Sequence, residues 1–63
     1  PLQKALDQLL PDYRSAVLLA DVEDRSYEEI AHIMRCPIGT VRSRIHRARQ
    51  MLRRNLEQAI GNS

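Results

Sequence analysis

Apolar residues recur at helical spacing along almost the whole chain. Leu2, Ala5, Leu6 and Leu9 lie three and four apart, the one-sided spacing of an amphipathic helix, and predict a first helix over roughly 2–9. Pro1 suits the first turn, where its missing N–H does no harm. Leu10-Pro11-Asp12 breaks the pattern, because Pro11 restricts Leu10 to extended geometry. Pro11 or Asp12 then starts a second helix, over about 12–22, with Tyr13, Ala16, Val17 and Ala20 on one stripe. Glu23-Asp24-Arg25 reads as a short polar turn.

Ser26 is a favourable N-cap, and Glu29 stands three residues later. The pair predicts a capping box opening a short third helix over roughly 27–34, with Ile30, Ala31, Ile33 and Met34 on its buried side. Pro37 ends that helix and disfavours helical geometry at Cys36. Ile38, Val41, Ile45, Ala48, Leu52 and Leu56 then define one continuous stripe of a long helix over roughly 38–59. Gly61 falls where a glycine commonly stops a helix.

A short helix, a tight turn and a longer helix make a helix-turn-helix, here about residues 26–50. The expected fold is therefore all-α: a four-helix domain over 1–63 with a C-terminal helix-turn-helix and no wing. Ala31 falls where the two helices of the motif cross closely, which requires a small side chain. The turn position after Met34 often carries Gly in such motifs; here it is Arg35, which predicts some backbone strain.

Composition narrows this picture. Sixty-three residues make one domain at most, and so short a chain is only marginally stable. It has no Trp or Phe, and Tyr13 and Tyr27 are its only aromatic residues, so the core is built from aliphatic side chains. The chain opens at Pro1 without an initiator Met and reads as a piece of a longer protein. Cys36, the only cysteine, allows no internal disulfide, which fits a reducing compartment. The longest apolar run, Ala16 to Ala20, is far short of the ~18 residues of a membrane span. No signal-peptide pattern is present. The reading is a soluble cytoplasmic module with no membrane association.

Charge changes the picture most. The net charge is only +2, but it is segregated. The first 34 residues carry seven acids against three bases. Residues 35–54 carry seven arginines and no acid: Arg35, Arg42, Arg44, Arg47, Arg49, Arg53 and Arg54. A basic helix on an acidic base is the electrostatic footprint of a phosphate-binding protein.

The last helix divides by face. With Ile38, Val41, Ile45 and Ala48 packed inward, the opposite face presents Gly39, Arg42, Ser43, His46, Arg47 and Gln50. The major groove admits one α-helix, and Arg, Ser, His and Gln all hydrogen-bond base edges. Arg44 and Arg49 fall on the flanks, where phosphates line the groove. Thr40 and the first-turn N–H groups suit a phosphate, aided by the helix dipole. Ser26 and Tyr27 come near the DNA backbone as the third helix lies across the groove. Phosphate contacts fix register, and base contacts give specificity.

Other chemistry finds no support. His32 and Cys36 are two isolated candidates and do not make a metal site; Cys36 reads as a small buried hydrophobe in the turn. There is no Gly-rich phosphate loop and no supported nucleophile–base pair. The chain is not expected to be an enzyme or to need a cofactor.

Ser26-Tyr27-Glu28-Glu29-Ile30-Ala31, the segment Cys36-Pro37-Ile38-Gly39-Thr40-Val41-Arg42-Ser43-Arg44-Ile45-His46-Arg47-Ala48-Arg49, and Leu10-Pro11-x-Tyr13-Arg14 resemble region 4 of a bacterial sigma factor of the extracytoplasmic-function group. The resemblance covers nearly the whole chain. It implies recognition of the promoter −35 element, typically GGAAC-like, by a domain attached to RNA polymerase during transcription initiation. It matches Arg42, Ser43, His46 and Arg47 to base-facing positions, and Gly39, Thr40, Arg44 and Arg49 to backbone-contacting ones. His46 replaces a common aromatic residue, and Ala20 stands where some members place a basic one. The resemblance also implies two protein partners: the flap of the RNA polymerase β subunit, and an anti-sigma factor. Exposed members of the set Leu2, Leu6, Leu9, Leu18, Leu19, Val22, Met51, Leu52 and Ile60 would supply an apolar docking patch.

Two other roles suit the same residues. An output domain of a response regulator would bind palindromic half-sites as a dimer. A basic helical protein-interaction module would dock an acidic partner and show no preference among DNA sequences.

Overall fold

The computed structural model describes residues 1–61. Its elements are α1 (Leu2–Asp7), α2 (Pro11–Val17), a π-helical turn (Leu18–Val22), α3 (Tyr27–Met34) and α4 (Ile38–Gly61). The architecture is the all-α helix-turn-helix domain that the spacing predicts. At 1.5 Å per residue α4 is about 36 Å long, and it sets the 39 Å long axis of the domain.

The α4 stripe serves two clusters. Val41 and Ile45 pack with Ala16 of α2 and Ile30 of α3, with Leu19, Ala20, Tyr27, Ala31, Met34 and Cys36 around them. Further along, Ala48 packs with Leu6, Leu9 and Val17, joined by Tyr13, Leu18, Met51 and Leu52. Adjacent Ala16 and Val17 thus bridge α4's two halves, and α2 fixes the tilt of α3 and α1 on one long helix. Asn55 adds a polar tie by donating to the Ala5 carbonyl at 3.2 Å.

The α3 boundaries are those predicted, and both caps are formed. Ser26 Oγ accepts from the Glu29 N–H, and Glu29 Oε1 accepts from the Ser26 N–H. At the other end Arg35 takes left-handed geometry, φ 54° and ψ 50°. Its N–H donates to the His32 carbonyl, and the Cys36 N–H donates to that of Ala31. This is a Schellman stop with arginine where glycine is usual.

Four details differ from the sequence pattern. First, α1 ends at Asp7, although Leu9 beyond it is still buried. Second, the second helix does not stay α-helical to 22. From Leu18 it widens, and the Glu23 N–H donates five residues back, to the Leu18 carbonyl. The wide turn leaves Leu18, Leu19 and Ala20 all half-buried. Third, Ile33 is 52% exposed. Tyr27, Ile30, Ala31 and Met34 already make the packed stripe of α3, and Ile33 lies roughly 110° from its centre at 3.6 residues per turn. Fourth, α4 runs on to Gly61, which keeps a negative φ rather than the left-handed conformation of a stop signal.

Candidate nucleic-acid interface

Arg42, Ser43, His46 and Arg47 all lie on the exposed side of α4, opposite the buried Val41, Ile45 and Ala48. Their spacing of one, three and four residues keeps them in one row. Among the described residues, neither Arg42 nor Arg47 holds an ion pair or a hydrogen bond. Their guanidinium donors remain available to a ligand. Ser43 is turned back within the helix, its hydroxyl donating to the Gly39 carbonyl at 3.1 Å; the oxygen still has acceptor capacity.

The expected phosphate contacts surround this row. Gly39 is exposed, and a β-carbon built on it meets no atom within 4 Å. Thr40 is half-buried, and its N–H donates to the Pro37 carbonyl at 3.0 Å, leaving its hydroxyl as the group to offer. A shallow concavity brings Tyr13, Pro37, Gly39, Thr40, Ser43, Arg44 and Arg47 together. Ser26 is exposed and Tyr27 half-buried at the start of α3.

The two flanking arginines behave differently from the central pair. Arg44 is half-buried and reaches back to α2, 3.7 Å from Asp12 Oδ2, while donating to Cys36 Sγ at 3.7 Å. Cys36 is itself half-buried. Arg49 forks onto Asp21 of the π turn, Nη2 to Oδ1 at 2.6 Å and Nε to Oδ2 at 3.1 Å. Hydrogen bonding from Arg49 lowers the Asp21 pKa against the opposing effect of burial, and the Arg49 charge adds a smaller lowering. Hydrogen bonding to Asp21 raises that of Arg49, with a smaller contribution from Tyr27.

Neither acid was legible as a partner. Asp21 reads in sequence as part of a solvated helix end, and 28 residues separate it from Arg49. No local spacing rule links residues so far apart.

This geometry is a helix-turn-helix with a free cationic row on its second helix. Residues 1–52 match the family described as Sigma-70, region 4. The chain belongs to this family. An extracytoplasmic-function RNA polymerase sigma factor, SigE of Mycolicibacterium smegmatis, is 60% identical over 52 residues, covering 82% of this chain and 20% of the relative. RNA polymerase sigma-H factor of Pseudomonas aeruginosa is 46% identical over 59 residues, 94% of this chain and 31% of its own. The extracytoplasmic-function sigma-E factor of Escherichia coli K12 is 46% identical over 57 residues, 90% and 30% respectively. The chain thus spans between a fifth and a third of these relatives. No helix of this region 4 domain, among the described residues, is long and apolar enough to cross a membrane.

Proposed function

We propose that this domain reads the −35 element of promoters as region 4 of an alternative sigma factor of the extracytoplasmic-function group. The observation that carries the reading is the exposed row Arg42, Ser43, His46 and Arg47, with both arginines free of any internal acid. Arg pairs with the O6 and N7 of guanine in the major groove, which suits the paired guanines of a GGAAC-like site. Gly39, Thr40, Ser26 and Tyr27 meet the phosphates on either side and set register. Arg44 and Arg49, on the flanks of the row, each already hold an acid.

The domain performs no chemistry in this reading. It contributes binding energy and orientation while RNA polymerase, held through the flap of its β subunit, initiates transcription in the cytoplasm. A surface for protein partners lies away from the DNA row, where Leu18, Leu19, Ile33 and Met34 line a groove edged by Asp12 and Glu23. Exposed apolar surface of this kind marks an interface, and the flap and an anti-sigma factor are the proposed occupants. Leu2, Val22 and Ile60 are also exposed, whereas Leu6 and Leu9 are buried and Leu18, Leu19, Met51 and Leu52 half-buried.

A competition assay tests the reading. A GGAAC-containing duplex is expected to displace a labelled copy of itself better than a scrambled duplex of equal composition does, with one protein bound per site. Two proteins on a palindrome would favour a response-regulator output domain. Equal competition would favour a protein-interaction module.

A further inference from the structure

The seven arginines of residues 35–54 are not equivalent, and Arg49 stands out. Its fork is the geometry in which guanidinium binds carboxylate best, and both donor atoms go to the two oxygens of Asp21. Tyr27 lies close enough to contribute, more weakly, to raising the Arg49 pKa. Three elements meet here: the π turn through Asp21, the first residue of α3 through Tyr27, and the middle of α4 through Arg49. The segment between Asp21 and Tyr27 is short and bent, with Asp24 at φ 55°. It leads into Ser26 and Tyr27, the proposed backbone contacts of α3.

A phosphate approaching Arg49 would meet the Asp21 carboxylate as well. Arg42 and Arg47, on the same helix, carry no such counter-charge. We propose that Arg49 is a positioning residue of the DNA interface: clamped to Asp21, it holds the π turn, and through the short segment that follows it the start of α3, at a fixed distance from α4, and supplies no phosphate contact of its own. This inference rests on the DNA-binding reading.

The test is a salt titration of binding by the 63-residue chain and its variants Asp21→Asn, Arg49→Ala, Arg49→Lys and the Asp21→Asn/Arg49→Ala double. Both the GGAAC duplex and the scrambled duplex are used, at a temperature where circular dichroism shows every variant folded. Positioning predicts several-fold weaker binding for each single variant, Arg49→Lys included, because lysine keeps the charge but not the fork. The double variant is no weaker than the weaker single. The slope of log affinity against log salt stays at the wild-type value throughout.

A phosphate contact predicts the reverse. Arg49→Ala would lower the salt slope by about one, Arg49→Lys would bind nearly as wild type, and Asp21→Asn would bind more tightly with Arg49 released. Any of those results overturns the inference, as does unchanged affinity in Asp21→Asn. Should Arg49→Ala not fold, Asp21→Asn and Arg49→Lys decide alone. Loss of discrimination between the duplexes by the wild-type chain would sink the −35 reading instead, while the slopes on either duplex would still judge Arg49.

Discussion

Ser26 and Glu29 satisfy each other at the start of α3, the Glu29 N–H donating to Ser26 Oγ at 3.1 Å and the Ser26 N–H to Glu29 Oε1 at 3.0 Å. The reciprocal cap fixes the end of α3 that carries the proposed backbone contacts Ser26 and Tyr27. Ser26→Ala is expected to cost about 1 kcal/mol of stability, the usual loss for a capping serine. In a domain this small that lowers the melting temperature by about 4–8 °C, measured by circular dichroism. Affinity for both duplexes should fall together, since a phosphate contact carries no base information.

Arg35 is an exposed residue in left-handed geometry. An L-side chain in that region costs roughly 1–2 kcal/mol, a penalty from which glycine is free. Arg35→Gly is therefore expected to stabilise the fold by about 1 kcal/mol, part of the gain being lost to the greater freedom of glycine in the unfolded chain. A thermal or urea melt checks this. A destabilised variant would mean that the Arg35 side chain contributes more than its backbone costs.

Two carboxyls tie stability to pH. Hydrogen bonding from Arg49 lowers the Asp21 pKa, and hydrogen bonding from the Ser26 backbone, then from its side chain, lowers that of Glu29. Both are lower folded than unfolded, so the unfolded chain takes up protons first as acid is added. The stabilisation is complete above the ordinary carboxylate pKa of about 4 and is lost as the pH falls below it. Melting temperature should drop between about pH 5 and pH 2. Asp21→Asn should start lower at neutral pH and show a shallower acid drop.

Gly39 is not required by the fold. It has no positive φ, and a methyl group there meets nothing. Helix propensity favours alanine by up to about 1 kcal/mol in a helix interior, and by part of that in a first turn. Gly39→Ala is expected to stabilise the free domain slightly while weakening binding to specific and scrambled duplexes alike, because the added methyl group obstructs an approaching phosphate. Undiminished affinity would remove Gly39 from the interface.

The parts of this molecule that were legible in sequence are those governed by local spacing. The Ser26–Glu29 cap, the Pro37 break, the Val41–Ile45–Ala48 stripe and the outward row opposite it all follow from offsets of three and four. What was not legible depends on packing between distant segments. Ile33 has the right spacing to be buried but lies off the narrow stripe that a short α3 presents. The π turn at Leu18–Val22 answers to how three apolar residues in succession meet α3 and α4. The Asp21–Arg49 fork joins residues far apart in the chain. The spacing sets Arg42 on the outward row and Arg49 on its flank, but only the fold shows Arg49 paired with Asp21.

The central claim is that the exposed row of α4 reads bases. The most direct measurement is a salt titration of wild type and Arg47→Ala on the GGAAC and scrambled duplexes. The account predicts a wild-type preference that persists as salt rises, and an Arg47→Ala variant that loses roughly 1–3 kcal/mol on the GGAAC duplex but little on the scrambled one. Equal, steeply salt-dependent binding of wild type to both duplexes, with Arg47→Ala weakening both alike, would leave only a basic surface and contradict it.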